Sequence, residues 1–285
     1  MGGSVSGTLL CFGLGYCAEF LARRLAARDW KIRGTTRRPE KEDRLTGEGW
    51  RLYPFDRHQP LPPEALVGVT HALTSIAPDE AGDPVLDLHG RGLRAVVWIG
   101  YLGTTAVYGD RQGGWVDEAT PVEPTLARAD RRARAEAAWL ASGLPAHIFR
   151  LAGIYGPGRN AFVNLKDGTA HRIVKPGQVF SRIHVEDIAT VLEASIARPR
   201  PGAVYNVCDD EPAPPQDVVA YAAELIGATP PPEQPYDTAD LSPMARTFYR
   251  DNRRVRNDLM KRELGVTLAF PSYREGLAAL LSVDG

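Results

Sequence analysis

Gly13, Gly15 and Ala18 stand in the pattern G-x-G-x-x-A, directly after the apolar run Thr8 to Phe12. At the first position glycine reaches backbone angles closed to a side chain. At the second it lets a bulky anionic group approach the main chain. Ala18 lets the following helix lie close on the strand. The N–H groups and positive end of that helix then face the incoming group. The turn that carries Gly13, Gly15, Tyr16, Cys17 and Ala18 is therefore a candidate pyrophosphate cradle. The bland alternative is a tight strand-to-helix turn that holds no ligand. The setting favours the cradle, because Ala18, Leu21, Ala22, Leu25 and Ala26 recur on one helical face and a second strand candidate follows at Lys31 to Thr36.

The residues after that second strand speak to the kind of dinucleotide. An NAD site usually places an acid about 20 residues beyond the glycines, on the ribose 2′-hydroxyl. Here the chain offers Gly34, Thr35 and Thr36, then Arg37 and Arg38, with no acid before Glu40. Hydroxyls and planar guanidinium forks suit a 2′-phosphate, so NADP is expected in preference to NAD. An ordinary solvated loop is the alternative.

The elements that would position these groups alternate along the chain. Strands are expected at Trp50 to Phe55, Val69 to Ile76, Arg94 to Tyr101 and Ala146 to Leu151, with helices at Asp83 to Gly92 and Ala129 to Ser142. This alternation predicts an α/β fold, a Rossmann-like doubly wound parallel sheet covered on both faces. Ser75, Ile76 and Ala77 then fall at the carboxyl end of a strand, beside the cofactor. Asp56 ends the third strand, either as an adenine-facing group or as a turn residue. Beyond Tyr155 the character changes to glycine- and proline-rich loops with helices at Val185 to Ala197 and Pro215 to Ile226. The expected division is a nucleotide-binding domain over 1–154 and a smaller C-terminal substrate lobe over 155–285, some segments of which return to the main sheet.

Composition narrows the partners. With 285 residues and a formal net charge of −1, the chain carries no global attraction for nucleic acid or an anionic membrane. No stretch approaches the apolar length of a membrane span, and MGGSVSG does not read as a secretory signal. The cysteines Cys11, Cys17 and Cys208 are odd in number and form no metal motif, so reduced thiols and a cytoplasmic location are expected. The six histidines form no pair at metal-ligand spacing, and no metal is expected. The basic segment Arg250 to Asp258 reads as a solvated face.

Several further motifs agree in order. YLGTTAVYG, WVDEATPVEP, FRLAGIYGPGRN, FSRIHVEDIA and VYNVCDDEP, together with GLGYCA, resemble the extended short-chain dehydrogenase/reductases, in the group of NAD(P)-dependent sugar epimerases and dehydratases. The resemblance covers nearly the whole chain. It implies a small-molecule substrate, a nucleotide sugar being the commonest in the family. It implies a catalytic hydroxyl at Thr104, four residues before Tyr108, and a substrate-phosphate contact at Arg182. Tyr155, Arg159 and His184 fall in the segments near nicotinamide and substrate. Family members often pair through helices that flank the active site, which makes Ala129 to Ser142 the candidate for a homodimer contact.

One departure divides the readings. The family's Y-x-x-x-K pair falls on Arg128 and Arg132, and neither Tyr nor Lys occurs between Tyr108 and Tyr155. An arginine cannot exchange a proton near neutral pH, although Arg132 can still donate to ribose hydroxyls and Arg128 to an anion. The chain is then either an NADP-dependent oxidoreductase, epimerase or dehydratase with a substitute proton carrier among Tyr101, Tyr108, Tyr155 and His184, or an inactive NAD(P)-binding sensor. A third reading is an anionic-metabolite binder that uses Arg159, Arg182 and the basic segment.

Overall fold

The computed structural model describes residues 6–37 and 39–285, with the side chains of all of these but 39–42. Strand β1 (Thr8–Phe12) is buried along its whole length, as a central strand covered on both faces must be. Helix α1 (Tyr16–Ala26) buries Ala18, Leu21, Ala22 and Leu25, the face that the spacing predicts. Next come β2 (Lys31–Thr35), α2 (Pro39–Gly47), β3 (Arg51–Tyr53), β4 (His71–Thr74), α3 (Pro84–His89) and β5 (Trp98–Thr104). Asp83 caps α3 by accepting the N–H groups of Val85 and Leu86. Then follow β6 (Trp115–Val116), α4 (Ala127–Ala141), β7 (Ala146–Leu151), β8 (Gly153–Tyr155), α5 (Ala161–Lys166), β9 (Arg172–Val174), β10 (Arg182–His184), α6 (Val185–Ala197) and β11 (Val204–Val207). The chain closes with α7 (Pro215–Leu225), β12 (Glu233–Pro235), α8 (Pro243–Phe248), β13 (Arg254–Val255), α9 (Asp258–Leu264) and α10 (Tyr273–Asp284).

Seven strands form one parallel sheet in the order β11-β7-β5-β4-β1-β2-β3. The chain order reverses between β1 and β4, which pair through Leu9 with His71 and Phe12 with Thr74. In open α/β sheets, ligands bind outside the carboxyl ends of the strands at such a switch point. The Gly13 turn and Ser75 both leave the sheet there.

The chain divides into two compact units. One holds the described residues up to Thr104 with Asp130–Arg150 and Ala189–Tyr205. Its core packs Leu10, Phe12, Ile99, Tyr101, Trp139 and Ile148. The other holds Thr105–Ala129, Leu151–Ile188 and Asn206–Gly285, and one of its cores packs Tyr155, Phe162, Tyr273 and Leu277.

Some elements differ from the sequence expectation. The fifth strand starts at Trp98 rather than Arg94 and runs to Thr104, because residues 91–95 prolong the turn that ends α3. Asp56 is a turn residue, since its Oδ1 accepts the N–H groups of His58 and Gln59 at 2.7 and 2.9 Å. The basic segment is not a solvated face throughout. Arg253 Nη1 donates to the carbonyl of Gly109 at 2.9 Å, and Arg254 donates to that of Gly113. Both glycines turn with positive φ, and the guanidiniums satisfy the carbonyls at these turns. No helix among the described residues is long and apolar enough to cross a membrane, and the three cysteines are free and buried.

Candidate active site

The glycine turn is built from three strands of the sheet. Gly13 has φ of +80°, and a Cβ there would lie 2.8 Å from Ser75 Oγ and 3.0 Å from Ile76 Cγ1. Both the angle and the neighbours require glycine. Thr35 closes the turn from β2. Its hydroxyl accepts the Gly13 N–H at 2.7 Å, and its carbonyl accepts the Leu14 N–H at 2.8 Å. Ser75 closes it from β4, donating through Oγ to the Gly13 carbonyl at 2.5 Å. Thr35, which the sequence reading offers to the 2′-phosphate as one of two hydroxyls, is instead buried with its hydroxyl on the Gly13 N–H.

Gly15 differs from Gly13. Its φ is −91°, which any residue adopts, and a Cβ there would meet no protein atom nearer than 3.9 Å. Neither backbone angle nor packing demands glycine at this place. The open space over the main chain there fits a pyrophosphate. Ala18 is fully buried, Cys17 is buried, and Tyr16 is partly exposed with its ring edge-on to Phe20 at 5.3 Å. Past the end of β2, Thr36 is partly exposed and Arg37 is exposed. Arg38 lies outside the described residues. Beyond Ser75, Ile76 is partly exposed and Ala77 exposed.

In the same unit, Thr104 ends β5 partly exposed. Arg132 on α4 donates to the Leu102 carbonyl at 2.7 Å, and its guanidinium stands 6.0 Å from the Tyr101 ring centroid. Tyr101 is fully buried, and burial pushes its pKa up to about 12.

The second unit carries the remaining candidates. Tyr108 is fully buried and donates to Asn206 Oδ1 at 2.7 Å. Tyr155 on β8 is buried and donates to the Ser272 carbonyl at 3.3 Å, and burial raises its pKa strongly. His184 on β10 packs edge-on to Tyr155 at 5.1 Å and against Phe270 at 4.0 Å. The Glu186 N–H donates to its Nδ1 at 3.3 Å, which leaves the ring proton on Nε2, a buried atom without a partner among the described residues. Burial lowers its pKa to about 4. Arg182 is partly buried and donates through Nη1 to the carbonyls of Phe180 and Ala213 at 2.8 and 3.0 Å. Arg159 is exposed, in a turn bridged to Gly156. Among the described residues, no group of three histidine, cysteine or acidic side chains could hold a metal ion.

Comparison with known proteins places this arrangement among known folds. The chain is similar to a conserved protein of unknown function from Silicibacter pomeroyi, at 57% identity and a TM-score of 0.90, over 97% of this chain and 99% of that one. It is 29% identical over 241 residues to protein YeeZ from Escherichia coli K12, which is 77% of this chain and 84% of YeeZ. The dTDP-glucose 4,6-dehydratase from Bacillus anthracis, solved in complex with NAD, shares the fold at a TM-score of 0.78 and 18% identity, over 97% of this chain and 96% of that one. The chain shares its fold with NAD-dependent epimerases and dehydratases. No family model matches it.

Arg128 and Arg132, on which the sequence reading expects the family's Tyr and Lys to fall, lie on α4. Arg128 there lies 4.7 Å from the Phe248 ring centroid and contacts Met244 Sδ, and Arg132 holds the Leu102 carbonyl. Both arginines are donors only, so neither can carry a proton near neutral pH.

Proposed function

We propose that the chain binds NADP, in preference to NAD, and acts as an atypical short-chain dehydrogenase/reductase on a sugar-like small molecule in the cytoplasm. The observation that carries this reading is Gly15, whose missing side chain leaves open space in a turn that Thr35 and Ser75 hold rigid. Thr36, Arg37 and Arg38 would meet the 2′-phosphate. Ser75, Ile76 and Ala77 would line the cofactor beside the turn, and Arg132 would donate to the ribose hydroxyls. The chemistry that the nicotinamide supplies when bound is hydride transfer.

This chain's own residues then have limited parts. Thr104 donates a hydrogen bond to a substrate oxygen and holds it in place. Arg182 and Arg159 hold anionic groups of the substrate, with Tyr155 and His184 shaping that subsite. Tyr108 keeps its proton on Asn206 and acts through the fold. Tyr101 and His184 are both held neutral at pH 7 by burial, so neither offers a proton transfer poised near neutrality. This supports hydride transfer with a proton delivered by solvent or by the substrate itself. Two copies would pair through α4.

Calorimetric titration with NADP and NAD, each oxidised and reduced, tests the reading. Tight NADP and weak NAD binding, followed by a change in nicotinamide absorbance with a carbonyl or nucleotide-sugar substrate, supports it. Binding with no turnover on any such substrate supports the inactive sensor instead. No binding of any of the four forms overturns both.

A further inference from the structure

The loops that follow β3 and β4 are tied by the side chain of Arg57. Its Nε and Nη2 donate to Asp79 Oδ2 and Oδ1 at 2.5 and 2.9 Å, and its Nη1 donates to Asp87 Oδ2 at 2.8 Å. Each loop is a tight turn closed on itself. In the first, Asp56 and Gln59 exchange main-chain hydrogen bonds at 3.2 Å. In the second, Asp79 Oδ1 accepts the N–H groups of Ala81 and Gly82 at 2.9 and 3.1 Å. Gly82 has φ of +140°, and a Cβ there would lie 3.2 Å from Asp87 Oδ2. The missing side chain lets α3 bring Asp87 up against the turn.

The sheet order gives this bridge its place. In the sheet, β2 and β1 stand between β3 and β4, so the two loops start three strand spacings apart, about 14 Å. A link between them therefore spans the carboxyl ends of β1 and β2, where the Gly13 turn leaves the sheet. Phe55, two residues before Arg57, packs at 5.5 Å on Phe12, the last residue of β1, and His89 of α3 packs on both rings. The glycine turn runs into α1 and the β4 loop runs into α3. These right-handed connections step in opposite directions along the sheet, which puts α1 and α3 on opposite faces. The crevice between them has the glycine turn as one wall and the strapped loop, residues 75–83, as the other.

We propose that Arg57 is a positioning residue for the adenosine half of the dinucleotide: paired with Asp79 and Asp87, it fixes the β4–α3 loop at the distance from the glycine turn that this half requires. This rests on the dinucleotide reading of that turn. A dinucleotide there puts its adenosine ribose at the end of β2, on the Arg57 side of the switch point. The planar fork of a guanidinium suits the task, because two parallel bonds to one carboxylate fix an angle as well as a distance. The guanidinium holds the Asp79 carboxyl below the usual carboxylate range, so the bridge is ionised in neutral solution. All three side chains reach solvent, and exposed ion pairs add little to stability. The worth of this one lies in the geometry of the loop.

The full chain is titrated by calorimetry with NADP, NAD, adenosine diphosphate and nicotinamide mononucleotide. Adenosine diphosphate carries no 2′-phosphate, so Arg37 has no part in its result. Arg57→Gln should weaken adenosine diphosphate and the preferred dinucleotide by about tenfold and leave nicotinamide mononucleotide within about twofold. Asp79→Asn keeps the acceptor for Ala81 and Gly82 and should lose part of the same affinity. The two changes together should cost no more than Arg57→Gln alone, since they break one bridge. The unfolding midpoint should move by less than about 4 °C in each variant. If wild type binds a dinucleotide and Arg57→Gln binds adenosine diphosphate as well as wild type does, the positioning role falls and the dinucleotide reading stands. Equal losses for the two halves, or losses that add between the variants, overturn the role too, because a general loosening of the fold gives both. Where nicotinamide mononucleotide is too weak to titrate, the cycle decides. Should Arg57→Gln fail to fold, Asp79→Asn carries the comparison of the two halves. If wild type binds neither NADP nor NAD, both readings fall.

Discussion

Tyr108 and Asn206 are both fully buried, and the tyrosine hydroxyl donates to Asn206 Oδ1 across 2.7 Å. Asn206 is held in turn by its main-chain N–H, which donates to Glu118 Oε1 at 2.8 Å. The Tyr-Gly pair of the strand-end motif thus ties Tyr108 to the Asn of VYNV, and Glu118 of the acidic loop to the same residue. Tyr108→Phe removes one donor and leaves a buried acceptor unmet, at a cost of about 1–3 kcal/mol. The expected outcome is a lower unfolding midpoint with turnover per folded molecule unchanged. A fall in turnover of orders of magnitude at an unchanged midpoint would instead make Tyr108 the proton carrier.

The two glycines of the turn should respond in opposite ways. Gly13→Ala forces a side chain into positive φ and against Ser75, so it destabilises by at least about 1–2 kcal/mol. Gly15→Ala meets no protein atom nearer than 3.9 Å, so the unfolding midpoint should stay where it is. Its methyl would occupy the pyrophosphate's place, and dinucleotide affinity should fall by about tenfold or more. An alanine at Gly15 that binds NADP as well as wild type would show that the open space holds nothing.

The sheet and the glycine turn were legible because their signals are local. An apolar run, a glycine pattern and a helical face lie within Thr8 to Ala26, and β1, β7 and α6 fall at their expected bounds. The partners of the turn were less legible, since Thr35 and Ser75 reach it from other strands and nothing in a hydroxyl's sequence neighbourhood marks it as a clamp. Asp209 was hidden for a similar reason. In VYNVCDDEP it looks like half of an acidic pair, but the fold buries it while its neighbour Asp210 pairs with Lys261. The places of the arginines at 253 and 254 are not legible because each also holds a main-chain carbonyl far away in the chain, which no charge pattern reveals.

His71 gives the protein an acid-sensitive element. Its ring packs 4.7 Å from Trp30 and 6.3 Å from Trp98, with Nδ1 2.8 Å from Thr70 Oγ1. Burial lowers its pKa from 6.5 to about 4. The unfolded chain therefore binds a proton that the folded chain refuses between these values. Stability falls as pH drops below about 6.5, and the loss from this group levels off near pH 4, at roughly 2–3 kcal/mol. His71→Phe keeps an aromatic ring between the tryptophans. Denaturant titrations from pH 7 to pH 4 should show a shallower loss of stability in this variant, whereas parallel curves would mean that His71 does not carry the linkage.

Thr104→Ala separates binding from chemistry. If Thr104 donates to a substrate oxygen, its loss should lower turnover by about a hundredfold, because a missing donor at a developing charge costs several kcal/mol. Cofactor affinity, measured on the same protein, should change by less than about twofold, within the scatter of surface effects. Equal loss of both would remove Thr104 from contact with the substrate.

If Arg37 meets the 2′-phosphate, it sets which dinucleotide the site prefers. It is exposed just past the carboxyl end of β2, where the ribose of a dinucleotide on the glycine turn is expected to lie. A guanidinium gives the 2′-phosphate a planar fork of donors, but solvent screens an exposed pair and limits its worth. Arg37→Ala should weaken NADP by about tenfold and leave NAD within about twofold. The wild-type preference should also shrink as salt rises from 50 to 500 mM, since the Debye length falls below about 5 Å over that range. A preference for NADP that survives both the substitution and the salt would assign the 2′-phosphate to groups other than this guanidinium. Equal binding of NADP and NAD by wild type at low salt would end the NADP reading altogether.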